Sequence, residues 1–199
     1  MSRNGLLAVI SGPSGTGKGT VLKRLLTVSD HIRMCISVTT RNPRELEVNG
    51  RDYDFIDIKE FERMILKGEL LEWVEYIGNF YGTPLKSISE LRSQGYDVLL
   101  EKEVEGAVAI KARYPDSVLI FILPPSFEEL TKRIHSRGTE NGLVIDKRLE
   151  RAKIELTYIN KYDYAVVNDN VDDTVEKIST ILTAERLKVG SYPGLAGNS

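Results

Sequence analysis

A glycine-rich stretch between an apolar run and a helical pattern constrains this chain more than any other feature. Leu6-Leu7-Ala8-Val9-Ile10 is apolar and of strand length, Ser11 to Thr20 reads SGPSGTGKGT, and a helical apolar pattern begins at Val21. Strand, glycine turn and helix in that order carry the phosphate-binding pattern G-x-x-x-x-G-K from Gly12 to Lys18. Glycines let successive backbone N–H groups approach phosphate oxygens closely. The helix that follows turns its positive end toward the same anion. Lys18 adds a mobile ammonium for the outer phosphates. The next residue is Gly19, where the full pattern has Ser or Thr for Mg²⁺, so the metal-facing hydroxyl falls to Thr20, directly or through water.

At 199 residues the chain is one domain or one domain with a sizeable insertion. A net charge of −2 leaves no basic footprint for nucleic acid or for a membrane surface. Any anionic ligand must then be held by a local cluster of Arg and Lys. The single cysteine, Cys35, excludes an internal disulfide and reads as a small core residue in a reducing compartment. Leu6–Ile10 is too short for a signal peptide or a membrane span. The expectation is a cytoplasmic protein.

Apolar strand-length runs recur at Leu6–Ser11, Val98–Leu100, Val118–Leu123 and Tyr164–Val167, with helical patterns at roughly 18–28, 105–113, 126–136, 145–159 and 171–187. Continuous apolar strands alternating with helices predict an α/β fold whose parallel sheet is covered on both faces. Pro124-Pro125-Ser126 ends a strand and caps the next helix, with Glu128 and Glu129 in its first turn. Residues 37–93 break the pattern and read as an α+β insertion. Val38-Thr39-Thr40 is β-branched, Asn49-Gly50 signals a turn, and Tyr53-Asp54-Phe55-Ile56 alternates like a strand. Asp57–Lys67 reads as a short helix, followed by Leu70–Tyr76, with Trp73 as a core residue, and a turn at Gly78-Asn79. Arg137 to Gly142 (RGTENG) reads as a mobile surface loop, and Gly190–Ser199 as a poorly ordered tail.

The insertion also carries chemistry. Arg41 and Arg44 lie three apart around a proline turn, with Tyr53 and Tyr81 further along. Two guanidinium forks and two phenols suit a phosphate monoester. Glu72 accepts from an N–H edge, and Ser37 and Thr83 donate to a carbonyl, a set that fits guanine. At these residues the chain resembles the guanylate kinase family, nucleoside monophosphate kinases that phosphorylate GMP from ATP. The resemblance runs from about Leu7 to Ile181. It includes GPSGTGK, S-x-T-T-R-x-P-R at Ser37–Arg44, N-G-x-D-Y at Asn49–Tyr53, L-E-W at Leu71–Trp73, G-N-x-Y-G-T at Gly78–Thr83, R-G-T at Arg137–Thr139 and V-N-D at Val167–Asp169.

That resemblance implies a P-loop NTPase three-layer α/β/α core at 1–36 and 94–189, an inserted GMP-binding domain at 37–93 and a mobile lid at about 137–147 within the core. It implies ATP on Ser14, Gly15, Thr16, Gly17, Lys18, Gly19 and Thr20, with Asn168 near the base or ribose. It implies GMP, and dGMP likewise, held by Arg41, Arg44, Tyr53 and Tyr81 at the phosphate and by Ser37, Glu72, Thr83 and Glu103 at guanine. Lys18, Arg133, Arg137 and Arg148 would close on the transferring group, and Thr20 and Glu101 would organise Mg²⁺. The implied role is GDP formation in purine nucleotide metabolism. The family segment L-[DE]-I-D-x-Q-G appears here as Leu100-Glu101-Lys102-Glu103-Val104-Glu105-Gly106. Its three carboxylates repel one another unless a cation is near, and Lys102 is expected to offset part of this. An active enzyme with altered GMP affinity is expected. The competing readings are an adenylate-type kinase, a catalytically silent scaffold module of the same fold, and a nucleotide-hydrolysing switch. The insertion motifs disfavour the first and the loop lysine with its arginines the second. For the third, no water-positioning residue stands out.

Overall fold

The computed structural model describes residues 4–136 and 142–188. In chain order its elements are β1 (Leu7–Ser11), α1 (Lys18–Val28), β2 (Ile32–Met34), β3 (Val38–Thr39), β4 (Asp54–Phe55), α2 (Ile58–Leu66), β5 (Leu70–Tyr76), β6 (Asn79–Pro84) and α3 (Leu85–Ser93). They continue with β7 (Asp97–Glu101), α4 (Val104–Arg113), β8 (Val118–Leu123), α5 (Phe127–Ser136), α6 (Gly142–Leu156), a 3-10 turn at Thr157–Lys161, β9 (Tyr164–Val167) and α7 (Val171–Arg186). Among the described residues no helix is long and apolar enough to cross a membrane.

The five-stranded sheet has the order β2-β7-β1-β8-β9, and every pair in it is parallel. Its strands are continuous apolar runs because both faces are covered. Ala8 and Ile10 of β1, with Val118, Ile120 and Ile122 of β8, pack against Val21, Leu22 and Leu25 of α1 and Val175, Ile178 and Leu182 of α7. The alternate residues Leu7, Val9, Val98, Leu100 and Leu119 face Ala107 and Ile110 of α4 and Ile88 of α3. The two-residue period of the strands thus splits one apolar run between two cores, giving the three-layer α/β/α arrangement.

A second sheet, β4-β3-β6-β5, pairs β3 with β6 and β6 with β5 antiparallel, and β3 with β4 parallel. Its core is Phe61 of α2 against Val38 and Leu70, with Phe61 stacked on Phe80 at 5.4 Å. Asp57 caps α2 by accepting from the Glu60 N–H at 2.8 Å. The β5–β6 turn is Ile77-Gly78, one residue earlier than the predicted Gly78-Asn79, and both residues have positive φ (50° and 70°). That geometry matches the twist of a hairpin.

Two elements go beyond the sequence reading. β2 is a three-residue edge strand, and α3 occupies residues that the sequence pattern assigns to the end of the insertion. Ile88 of α3 packs on the five-stranded sheet, as does Leu71 of β5. Residues 137–141, including Arg137, and the tail from 189 lie outside the described residues. The remainder of the predicted 137–147 loop is helical from Gly142.

Candidate active site

The phosphate loop leaves β1 at Ser11 and enters α1 at Lys18. α1 has no side-chain cap and no acidic residue in its first turn, and its positive end opens on the loop. Gly17, with φ at 86°, is its cap, and a Cβ there would sit 2.6 Å from Asn168 Nδ2. At Gly12 a Cβ would lie 2.3 Å from the Ile122 carbonyl oxygen. Lys18 Nζ folds back to donate to the carbonyls of Gly12 at 2.5 Å and Pro13 at 3.1 Å. Thr16 Oγ1 donates to the Pro13 carbonyl at 2.9 Å, closing the turn from inside.

Two helices brace the loop. Leu130 and Ile134 of α5 stand against Gly15. Arg148 of α6 donates to Ser14 Oγ at 2.7 Å. Arg133 of α5 donates to the Asn168 carbonyl at 3.1 Å and pairs with Glu129. Asn168, only 3% exposed, donates from Nδ2 to the Thr16 carbonyl at 2.7 Å and accepts from Thr174 Oγ1 at 3.1 Å. Both ends of its amide are used by the protein. Its observed task is to hold the loop from behind, where the family resemblance puts it against the base or ribose.

Arg41 and the two tyrosines come together in the second unit. The Arg41 guanidinium lies 5.7 Å from the Tyr53 ring centre, and the Tyr53 and Tyr81 rings meet edge-on at 6.0 Å. Glu47, which sequence reasoning missed, makes a two-pronged ion pair with Arg41 at 2.8 and 2.9 Å. The same carboxylate accepts from the Arg44 backbone N–H at 2.8 Å, and these bonds hold it below the usual carboxylate range. Arg44 presents its side chain to solvent.

Glu72 on β5 and Thr83 on β6 are brought together with Lys102. Thr83 Oγ1 donates to Glu72 Oε1 at 2.6 Å, and Lys102 Nζ donates to Glu72 Oε1 at 2.6 Å and to Thr83 Oγ1 at 2.7 Å. Lys102, expected to offset the carboxylates beside it in the chain, pairs with Glu72, and the Thr83 hydroxyl donates to the same carboxylate. Ser37 immediately precedes β3, its carbonyl accepting from Asp54 N–H. Cys35 is buried nearby, and burial pushes its thiol up to about 11. Trp73, read as core, is 47% exposed, with its ring edge-on to Phe80.

The carboxylates after β7 are managed by Arg151. It makes a two-pronged pair with Glu105 at 2.8 and 2.6 Å and donates to the buried Glu155 at 2.9 Å. Glu103 precedes α4. Burial raises its carboxyl, with Lys18 and Arg151 pulling the other way and Glu155 and Glu101 adding to the rise. The charges that act on it thus include Lys18 of the phosphate loop. Glu101, the last residue of β7, pairs in register with Ile10 beside the loop and is exposed, as is Thr20.

A phosphate loop at the carboxyl ends of a parallel sheet, with Arg148 bonded to it and Arg133 bonded to the Asn168 that holds it, defines a nucleotide-binding phosphate-loop α/β protein. A guanylate kinase family model matches residues 4–185. The chain is 49% identical to guanylate kinase of Bacillus subtilis over 189 residues, covering 94% of this chain and 93% of that one. It is 50% identical to that of Halalkalibacterium halodurans over 184 residues, covering 92% and 90%. A crystal structure of guanylate kinase from Anaplasma phagocytophilum superposes with a TM-score of 0.71 at 36% identity, covering 94% and 89%. The chain belongs to the guanylate kinase family.

Proposed function

We propose that the family's reaction, transfer of the terminal phosphoryl group of ATP to GMP giving ADP and GDP, runs between the phosphate loop and the Arg41–Glu72 region. One observation carries this reading. The short segment after β7 borders both sites, with Lys102 in the Glu72–Thr83 pair and Glu103 among the charges around Lys18. Neighbouring residues are about 3.8 Å apart along the backbone, which supports a reading in which cargoes held at the two sites meet.

Phosphoryl transfer needs positioning and charge neutralisation above all. The backbone of residues 14–20 and Lys18 hold the ATP phosphates. Arg133 and Arg148, with Arg137 from outside the described residues, neutralise charge on the moving group. Arg41, Arg44, Tyr53 and Tyr81 hold the GMP phosphate, and an incoming phosphate shares the Arg41 fork with Glu47. The attacking oxygen of GMP is already anionic, so no general base is required, in keeping with two histidines that lie outside this constellation. Glu72 and the Lys102 ammonium read the base, with Ser37 beside them. The reading extends to dGMP as an acceptor beside GMP.

Among the described residues no three His, Cys, Asp or Glu side chains cluster to hold a metal. Mg²⁺ carried on substrate phosphates takes only one or two protein oxygens and keeps its waters. Thr20 and Glu101, both exposed beside the loop, would hold it, Glu101 through water. Bound there, it would neutralise charge on the β- and γ-phosphates. A cytoplasmic location fits the single buried thiol. A coupled assay tests the reading: ADP and GDP should form in equal amounts from ATP and GMP, with dependence on Mg²⁺. Release of ADP without GDP would refute it.

A further inference from the structure

We propose that Glu47 is an internal stand-in for the GMP phosphate, and that it makes the phosphate site of the second unit depend on an attached base. Glu47 is then a specificity-determining residue, which keeps phosphate monoesters without guanine off Arg41. The proposal rests on the reading above that Arg41 and Arg44 hold the GMP phosphate.

A guanidinium grips an oxyanion two-pronged at either of two edges, Nε with Nη2 or Nη1 with Nη2. Nη2 belongs to both. In Arg41, Nη2 donates to Glu47 Oε1 at 2.8 Å and to Oε2 at 2.9 Å, and Nη1 donates to the Asn42 carbonyl at 2.7 Å. A phosphate that comes to either edge thus meets a nitrogen already held by a carboxylate. The two Glu47 oxygens are tied differently. Oε2 also accepts from the Arg44 backbone N–H at 2.8 Å, whereas Oε1 bonds to Arg41 alone among the described residues. Oε1 marks the place that a phosphate oxygen can take, while Oε2 keeps the turn closed.

The contest is between charges of one sign. Arg41 and Glu47 are 17% and 18% exposed, so their attraction is screened less than that of a surface pair. A phosphate monoester carries about −1.5 to −2 charges at pH 7, and a carboxylate beside it repels it. Taking the place of Oε1 exchanges one charge-assisted bond for another and adds that repulsion. A phosphate by itself therefore gains little, and the surplus that seats it comes from the base, as binding energy from remote parts of a substrate does in general. A carboxylate that merely propped Arg41 in place would help the phosphate, so the two roles differ in sign.

Steady-state kinetics of Glu47→Gln, with ribose 5-phosphate as a base-free monoester, test the proposal. Gln keeps an acceptor for the Arg44 N–H and removes the charge. The KM for GMP is expected to fall about tenfold, the scale of a hydrogen bond to a charged group, with the KM for ATP unchanged. Ribose 5-phosphate, as an inhibitor competitive with GMP, should become stronger by about the same factor. A KM for GMP that rises or stands still would overturn the proposal, and so would unchanged inhibition by ribose 5-phosphate. Glu47→Asp, whose carboxylate is drawn back by one methylene, should move both values in the same direction and decides the matter if Glu47→Gln does not fold. Arg41→Ala separates this proposal from the reading beneath it. If Arg41→Ala raises the KM for GMP and Glu47→Gln raises it too, the proposal alone is overturned. If Arg41→Ala leaves that KM untouched, the placement of the GMP phosphate falls with it.

Discussion

Truncating Asn168 to alanine should loosen the phosphate loop by an amount the structure fixes. Its Nδ2 donates to the Thr16 carbonyl at 2.7 Å, and its Oδ1 accepts from Thr174 Oγ1. Thr174 keeps the Asn170 carbonyl at 2.7 Å, so only the Thr16 carbonyl is stranded. A buried acceptor left without a donor costs about 1–3 kcal/mol. Urea denaturation should show that loss, and the KM for ATP should rise while that for GMP stays level. A cycle with Gly17→Ala sharpens the test, because a Cβ at Gly17 would lie 2.6 Å from Asn168 Nδ2. The penalty of a left-handed backbone in the Gly17→Ala protein, about 1–2 kcal/mol, is present in both backgrounds and cancels. The clash is not, so the double variant should be more stable than the sum of the singles by about 0.5 kcal/mol or more. Strict additivity, together with an Asn168→Ala protein of unchanged stability and ATP KM, would refute the reasoning.

Further outcomes follow from the same geometry. Arg148→Ala, which removes the contact to Ser14, should lower kcat by about 10³ or more with the far-ultraviolet dichroism unchanged; near-normal turnover would count against its role. Glu72→Gln should lower kcat/KM for GMP by about 10- to 150-fold, the scale of a hydrogen bond to a charged group, and leave the ATP KM within about twofold; a larger effect on ATP would contradict its placement. Gly19→Ser should raise stability by up to about 1 kcal/mol, since a Cβ there meets nothing within 4 Å, and destabilisation would contradict the open helix start. In acid, the second unit should loosen before the five-stranded sheet. Glu60 and Glu69 are lowered chiefly by their bonds to Arg63, Glu47 by the Arg44 backbone N–H and Asp52 by that of Val48. Carboxyls lowered on folding contribute above the ordinary carboxylate range, and the contribution is lost as pH falls through their folded values. Trp73, the single tryptophan, reports on that unit by fluorescence, and its signal should change at higher pH than the far-ultraviolet dichroism.

Features whose cause is local were legible in the sequence. β1, β8 and β9 announce themselves as unbroken apolar runs, and the loop glycines by their spacing. Ser126 caps α5 as its Pro-Pro-Ser context suggested, accepting from Glu129 N–H. Short or amphipathic pieces were harder to see. β2 has three residues at a sheet edge, and the apolar positions of α3 (Leu85, Ile88, Leu91) are diluted by Ser and Lys. Partnerships made by tertiary folding left no local signal. Lys102 meets Glu72 thirty positions away because the β5–β6 hairpin folds back to it, and Arg151 meets Glu105 across 46 positions. The sequence registered a crowd of carboxylates after β7 and the need for a cation, but proximity along the chain pointed to Lys102 where the fold supplies Arg151. Glu47 closes on Arg41 over a proline turn of no regular period, and a period search does not register such a pair.

The central claim is that the two anion sites converge on a single transfer. Calorimetric titration with adenosine and guanosine joined through their 5′ positions by a polyphosphate bridge tests it most directly. Binding at least about 10² tighter than either mononucleotide alone is the predicted result, since the second contact is then intramolecular. Affinity no better than that of ATP or GMP, at every bridge length tried, would contradict it.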